Sequence, residues 1–200
     1  VVQRVWTPQS EAVISGTGYG LDGDVIRDAG VVRASDAADL SALLQAAALC
    51  TDATVQPPDP EHPEGHVLGD PTEAALIVAA QKLGLRHSAL VDASPRVAEF
   101  PFDSVRKRMT TVHRQPSGYL VVCKGAPEFL LDSDVILAED PAVRAASTKA
   151  NEYASAGLRV LAVAVKESGD PPATAGEAES NLHLLGLVGM ADPAKPSAPA

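Results

Sequence analysis

FPFDSVRKRMTTVHRQPSGYLVVCKGAPE, residues 100–128, decides the fold. Residues 107–114 and 119–124 each alternate apolar with polar side chains, and Gln115, Pro116, Ser117 and Gly118 stand between them. Two alternating runs around such residues read as a β-hairpin, because the strand period is two and these residues reverse a chain. With those four as the loop, Arg114 faces Tyr119 and Met109 faces Lys124, which sets Lys107 diagonally across from Lys124 on the same sheet face. Two ammonium groups brought close repel, so the pairing makes most sense with an anion or a carboxylate in the gap. Arg106 and Arg108 have the opposite parity and are expected to face solvent.

Outward from this hairpin the chain changes rhythm several times. Residues 1–27 alternate around Gly16, Gly18, Gly20 and Gly23 and read as short strands joined by turns. From Ser35 to Cys50, Leu40, Leu43, Leu44, Ala47 and Ala48 recur at helical spacing. Residues 52–66 hold four prolines and several charges, a composition for a mobile loop. Asp70, Pro71 and Glu73 then fit an N-cap, a first-turn proline and a carboxylate reaching back to the cap, starting a helix that Gly84 closes. Asp140 and Pro141 can start a third helix, closed by Gly157, and Val160–Val165 follow as a buried strand with Arg159 at its mouth. A polar excursion over 168–180 precedes an apolar strand from Leu182 to Met190. Hairpins and helices without strict βα alternation imply an α+β fold: a mainly antiparallel β-sheet flanked by helices, over residues 1–190, with 191–200 as a hinge remnant or tail.

Composition narrows the function. The chain has 200 residues, 46% apolar, enough for one sizeable core. No stretch approaches the roughly 18 to 20 consecutive apolar residues of a membrane helix, so this portion is expected to make no direct membrane contact. Sixteen basic against 26 acidic residues leave a net charge of −10, which opposes nucleic-acid binding and makes any anion site depend on a local basic cluster. Cys50 and Cys123 lie far apart, in no metal-ligand spacing, and are expected as free thiols.

The usual phosphate-binding signatures are missing: there is no GxxxxGK[ST], and Gly16, Gly18 and Gly20 give GxGxG without a following helix. Asp22 and Asp24 in LDGDVI imitate the paired aspartates of dehalogenase-type phosphatases, but a glycine turn precedes them where that chemistry needs a buried apolar strand. His62 and His66 are spaced like helix-borne metal ligands, but Pro63 and Gly65 forbid the helix, so no metal site is expected. Four stretches remain: GDPTEAAL (69–76), FPFDSVRKRMTTV (100–112), KGAPE (124–128) and GLRVLAVA (157–164). In this order and spacing they resemble the nucleotide-binding domain of type II P-type cation-transporting ATPases, calcium-pump-like members especially. ALCTDA (48–53) and LLGLVGMADP (184–193) look like its flanking segments, so the resemblance covers nearly the whole chain.

That resemblance implies a cytoplasmic domain of an integral membrane pump. Its partners would be ATP, carried with Mg2+, and the phosphorylation and actuator domains of the same protein. It implies that Phe102 stacks on adenine, that Glu73 contacts the adenine amino group with Thr72 beside it, that Lys107 and Lys124 lie at the nucleotide, and that Arg159 reaches the phosphate tail. Gly125 fits close approach of a ligand or of a neighbouring strand, and Ala126 with Pro127 would turn the chain into a helix. Ser104 departs from the family, which often has a basic residue there. No residue of this chain is expected to be catalytic: the phosphorylated aspartate of DKTGT would precede residue 1, and the magnesium-binding motifs would follow residue 200. Asp192 and Pro193 resemble the start of a hinge segment, which would put the chain ends together. The alternative is a stand-alone nucleotide-sensing or protein-interaction domain. A phosphatase would need Asp22, whereas the binding-domain reading expects Asp22→Asn to leave ATP affinity, measured by calorimetry, unchanged.

Overall fold

The computed structural model describes residues 1–56, 59–62, 66–137 and 141–192. In chain order its strands are β1 (Val2–Trp6), β2 (Glu11–Ile14), β3 (Val25–Arg27), β4 (Gly30–Val32), β5 (Thr54–Gln56), β6 (His66–Leu68), β7 (Arg96–Asp103), β8 (Arg108–Gln115), β9 (Gly118–Gly125), β10 (Arg159–Ser168) and β11 (His183–Met190). The helices are α1 (Ala38–Leu49), α2 (Pro71–Leu83), α3 (His87–Ala93), α4 (Pro127–Leu130), α5 (Ala142–Ser155) and α6 (Ala175–Ala178). Nine strands form one antiparallel sheet in the order β4-β3-β2-β1-β11-β10-β9-β8-β7, and β5 and β6 pair separately.

Strand alternation divides two cores. Val122, Val163 and Val188 point to the face covered by α1 and α2, where Leu40, Leu43, Leu44, Leu76 and Leu83 are buried. Their neighbours Val121, Cys123, Ala162, Ala164 and Leu187 point to the opposite face, with Leu130, Ala146 and Tyr153 of α4 and α5. A central strand apolar at every position is therefore sandwiched on both sides, as the unbroken run LVVC within β9 requires. The antiparallel sheet flanked by helices is the expected architecture.

The hairpin register is observed as Arg114 opposite Tyr119 and Met109 opposite Lys124, and the ladder extends to Gln115 opposite Gly118, leaving a two-residue turn. Lys107 differs from expectation. It precedes β8 in a left-handed conformation, φ 54°, closing the turn that joins β7 to β8. The chain must reverse there, and Asp103 nucleates the reversal: its carbonyl accepts the Lys107 N–H at 2.7 Å, and its Oδ1 accepts those of Val105 and Arg106. The expected loop over 52–66 also proves partly ordered, since β5 and β6 pair across it. In the short α3, too, periodicity is insufficient to announce a helix. Asp140 and residues 193–200, where a helix start and a hinge are expected, lie outside the described residues; Val1 and Ala191 exchange two backbone hydrogen bonds, 2.7 and 2.9 Å.

α1 starts without a side-chain cap, and Asp39 in its first turn instead reaches the β1–β2 turn. Its Oδ2 accepts from Thr7 Oγ1 at 2.7 Å and Ser10 Oγ at 2.5 Å, and Arg27 lies 3.3 Å from Oδ1. Burial raises the pKa of this carboxyl, but the two hydroxyls together with the backbone N–H groups of Asp39 and Leu40 outweigh burial and hold it below its ordinary value. A folded pKa below the unfolded one gives stability that is present above the unfolded value, near ~3.9, and is lost as pH falls through the folded value. Asp39→Ala should cost about 2 kcal/mol in urea unfolding at neutral pH, and the variant should lose less of its stability on acidification than the wild type.

Candidate nucleotide-binding site

One end of the sheet gathers the expected site residues from four parts of the chain. β9 ends there with Lys124 and Gly125, β10 begins there with Arg159, and β7 with the turn into β8 carries Phe102 near the strand's end and Lys107 in the turn. The fourth part is the N-terminus of α2. Asp70 caps it, its Oδ1 accepting the backbone N–H groups of Thr72 at 2.6 Å and Glu73 at 3.3 Å. Burial pushes the Asp70 carboxyl up, but these bonds outweigh it and hold its pKa below the ordinary value. Pro71 at the first helical position gives up an N–H that would have had no partner.

Glu73 does not turn back to the cap as a capping box would require. Its Oε1 lies 2.5 Å from Lys124 Nζ, and its Oε2 accepts the Asp52 N–H at 2.7 Å. A buried ammonium explains the choice. Lys124 is 7% exposed, and a charge that deeply desolvated is stable only beside a counter-charge. Arg96 of β7 anchors the other side of this junction, 2.5 Å from Asp52 and 2.8 Å from Glu99. Next to Glu73, Thr72 Oγ1 accepts from Arg159 Nη1 at 3.0 Å. The two neighbouring residues on α2 thus each hold a cation from an adjacent strand.

Gly125 is required by strand packing: a Cβ would lie 2.6 Å from both the Lys107 carbonyl oxygen and Arg108 Cβ. Of the two expected uses of this glycine, the neighbouring strand accounts for it. Ala126, the N-cap of α4, donates its N–H to the same Lys107 carbonyl at 3.1 Å, so the backbone of the turn is tied to the end of β9. The Lys107 side chain is exposed, as is Phe102, whose 63% exposure leaves a ring available for a planar ligand. Val105, 80% exposed on the same turn, adds a second apolar surface that alternation alone does not single out.

Arg106 and Arg108 correct the expectation of solvent-facing charges. Both bind Glu179: Arg106 Nη1 contacts Oε1, Arg108 Nε lies 2.7 Å from Oε2, and Thr110 Oγ1 donates to Oε1 at 2.9 Å. The sheet face opposite Lys107 is covered by the segment after β10 rather than by water. Reading 168–180 as a polar excursion gives no signal that its last glutamate is buried.

Away from this end, Asp59, His62 and His66 bring one ligand atom each within 4.8 Å of the others, with His62 Nδ1 3.2 Å from Asp59 Oδ1. Three donors, two of them on exposed residues, form no closed tetrahedral shell.

The sequence model of the family described as P-type ATPase, cytoplasmic domain N, matches residues 39–197. The chain belongs to that family. Among relatives, this N domain is 35% identical over 206 residues to the probable cation-transporting ATPase F of Mycobacterium tuberculosis, with 98% of the chain and 22% of the relative aligned. It is 33% identical over 207 residues to the calcium-transporting ATPase of Bacillus subtilis, covering 98% and 23%. With calcium-transporting ATPase 1 of Lactococcus lactis it shares 36% identity over 165 residues, covering 78% and 18%. The N domain therefore spans about a fifth to a quarter of the length of these relatives. No helix among its described residues is long and apolar enough to cross a membrane.

The Glu73–Lys124 pair sets a stability test. Glu73→Ala strands a buried ammonium and should cost about 3 kcal/mol by chemical denaturation. Lys124→Met should cost less, because Glu73 keeps the Asp52 N–H, and the double variant should lose less than the sum of the two.

Proposed function

We propose that this N domain binds the adenosine part of Mg-ATP at the sheet end formed by Thr72, Glu73, Phe102, Lys107, Lys124, Gly125, Ala126 and Arg159. The observation that carries the reading is the juxtaposition of an exposed aromatic ring with cations from three strands and turns in a chain whose net charge is −10. An acidic protein repels a nucleotide at long range, so the site must supply its own positive field. Phe102 offers a face for the adenine ring, worth about 0.5 to 1.5 kcal/mol beyond area burial. Glu73 already binds Lys124 and the Asp52 N–H, but a carboxylate has about four acceptor positions, enough to accept an adenine amino group as well. Lys107 and Arg159, both exposed, are free to turn toward the phosphates, and Thr72 keeps Arg159 at the site edge until they do.

In the whole protein the domain would deliver the γ-phosphate to an aspartate of the phosphorylation domain, with Mg2+ carried on the nucleotide and held by residues outside this chain. Its contribution is position and orientation; none of its residues acts as nucleophile or general base. By the names of its relatives, the complete protein would be an ATP-driven cation pump of the membrane, with this domain on the cytoplasmic side and the phosphorylation and actuator domains as its partners.

Titration of Mg-ATP into the isotopically labelled chain should give saturable amide shifts around Glu73, Phe102, Lys107, Lys124 and Arg159. The expected affinity is on the order of 1 mM, or about 4 kcal/mol, and Phe102→Ala and Lys124→Ala should each weaken it about tenfold while remaining folded. No shifts at several millimolar ATP would overturn the reading, as would sustained hydrolysis by the chain alone.

A further inference from the structure

Glu179 is 3% exposed and is the one acidic residue fully buried among the described residues. It lies on the α4–α5 side of the sheet, beneath the turn from Phe102 to Lys107 and opposite the face that carries Lys124. Arg106 links Glu179 to the carbonyl of Pro101, 2.9 Å from Nη2 and immediately before Phe102. Arg108, which follows Lys107, links it to the carbonyl of Phe129 at 3.3 Å. One carboxylate thus grips the turn at both ends, while the two residues expected at the nucleotide, Phe102 and Lys107, project from it exposed.

We propose that Glu179 is a positioning residue for nucleotide binding, acting through Arg106 and Arg108 to hold Phe102 and Lys107 in a binding-competent turn. This rests on the reading that the turn contacts ATP. Three features of the geometry support it. The turn has few apolar contacts to fix it, since Phe102 and Val105 are exposed. Lys107 occupies a left-handed conformation that a non-glycine residue adopts at a cost, so surrounding bonds must hold it there. Without the carboxylate, two guanidinium groups would face each other half-buried and repel. Glu179 itself is fixed from behind: it follows α6, whose N-terminus is capped by the Thr174 hydroxyl, and Lys166 binds the carbonyls of Glu177 and Ser180. A segment with no expected contact to nucleotide therefore sets the shape of the surface that meets it.

The test is Mg-ATP titration of wild type, Glu179→Ala and Glu179→Gln, followed at backbone amides, with melting temperature measured in parallel. Positioning weakens ATP binding about fivefold to tenfold in Glu179→Ala, and by less but in the same direction in Glu179→Gln. It also shifts the amides from Phe102 to Arg108 in the absence of ligand and leaves those of Glu73 and Lys124 in place. Should Glu179→Ala fail to fold, the near-isosteric Glu179→Gln decides by the same criterion. Affinity unchanged within about twofold, with a lower melting temperature only, would overturn the proposal and make Glu179 a support of the fold alone. Tighter binding would overturn it too, showing the carboxylate to act as a charge opposing the nucleotide. Failure of the wild type to bind ATP would remove both this proposal and the nucleotide reading, whereas binding that is indifferent to Glu179 removes this proposal alone.

Discussion

A lysine ammonium buried at the end of β9 is the constraint on which the geometry of this domain's candidate site depends. An ammonium at 7% exposure is costly without a counter-charge, and for Lys124 the counter-charge comes from the first turn of α2. Drawing Glu73 down to the sheet fixes where that helix begins. Thr72 is then beside Arg159 of the neighbouring strand, and Asp52, linked to Arg96 of β7, completes the junction. The same contact that satisfies a buried charge thus assembles a surface from segments more than fifty residues apart in sequence. Packing of α1 and α2 on the sheet makes this possible, because the apolar faces hold both bodies while the polar contacts set their register.

The surface has two layers of polar organisation, one on each side of the sheet. On the α2 side, Glu73 and Thr72 hold Lys124 and Arg159; on the other, Glu179 holds Arg106 and Arg108. Between them the end of β7 and the turn into β8 leave Phe102 and Lys107 exposed. Each acidic group offsets cations that would otherwise repel within a small area. The cations at this end are thus tied to carboxylates, on a molecule whose overall charge is strongly negative.

How much of this was legible in the sequence varies with the range of the interaction. Strand alternation from Met109 to Cys123 and the turn residues between them determine the hairpin, and its register follows from the turn alone. Helices α1 and α2 announce themselves by leucine and alanine spacing and by Asp70, Pro71 and Gly84, and α5 by Pro141 before it and Gly157 after it. The placement of Lys107 was not legible, because the pairing pattern cannot say where a strand begins, and the hydrogen bonds of Asp103 keep Lys107 in the turn so that β8 starts one residue later. Capping rules put Glu73 on its own helix; a buried lysine fifty-one residues away outcompeted the cap. The burial of Glu179 depended on a contact across 71 residues, which local composition does not encode. Motif resemblance picked out the residues that gather at the sheet end but gave no sign of the residues that support them.

The central claim is that adenine lies on Phe102 at this sheet end, and intermolecular nuclear Overhauser effects in the Mg-ATP complex test it most directly. Contacts from adenine H2 and H8 to the Phe102 ring protons, with none to the opposite end of the sheet, are the result the account predicts. A bound nucleotide whose adenine protons contact another surface and leave the Phe102 ring untouched would contradict it.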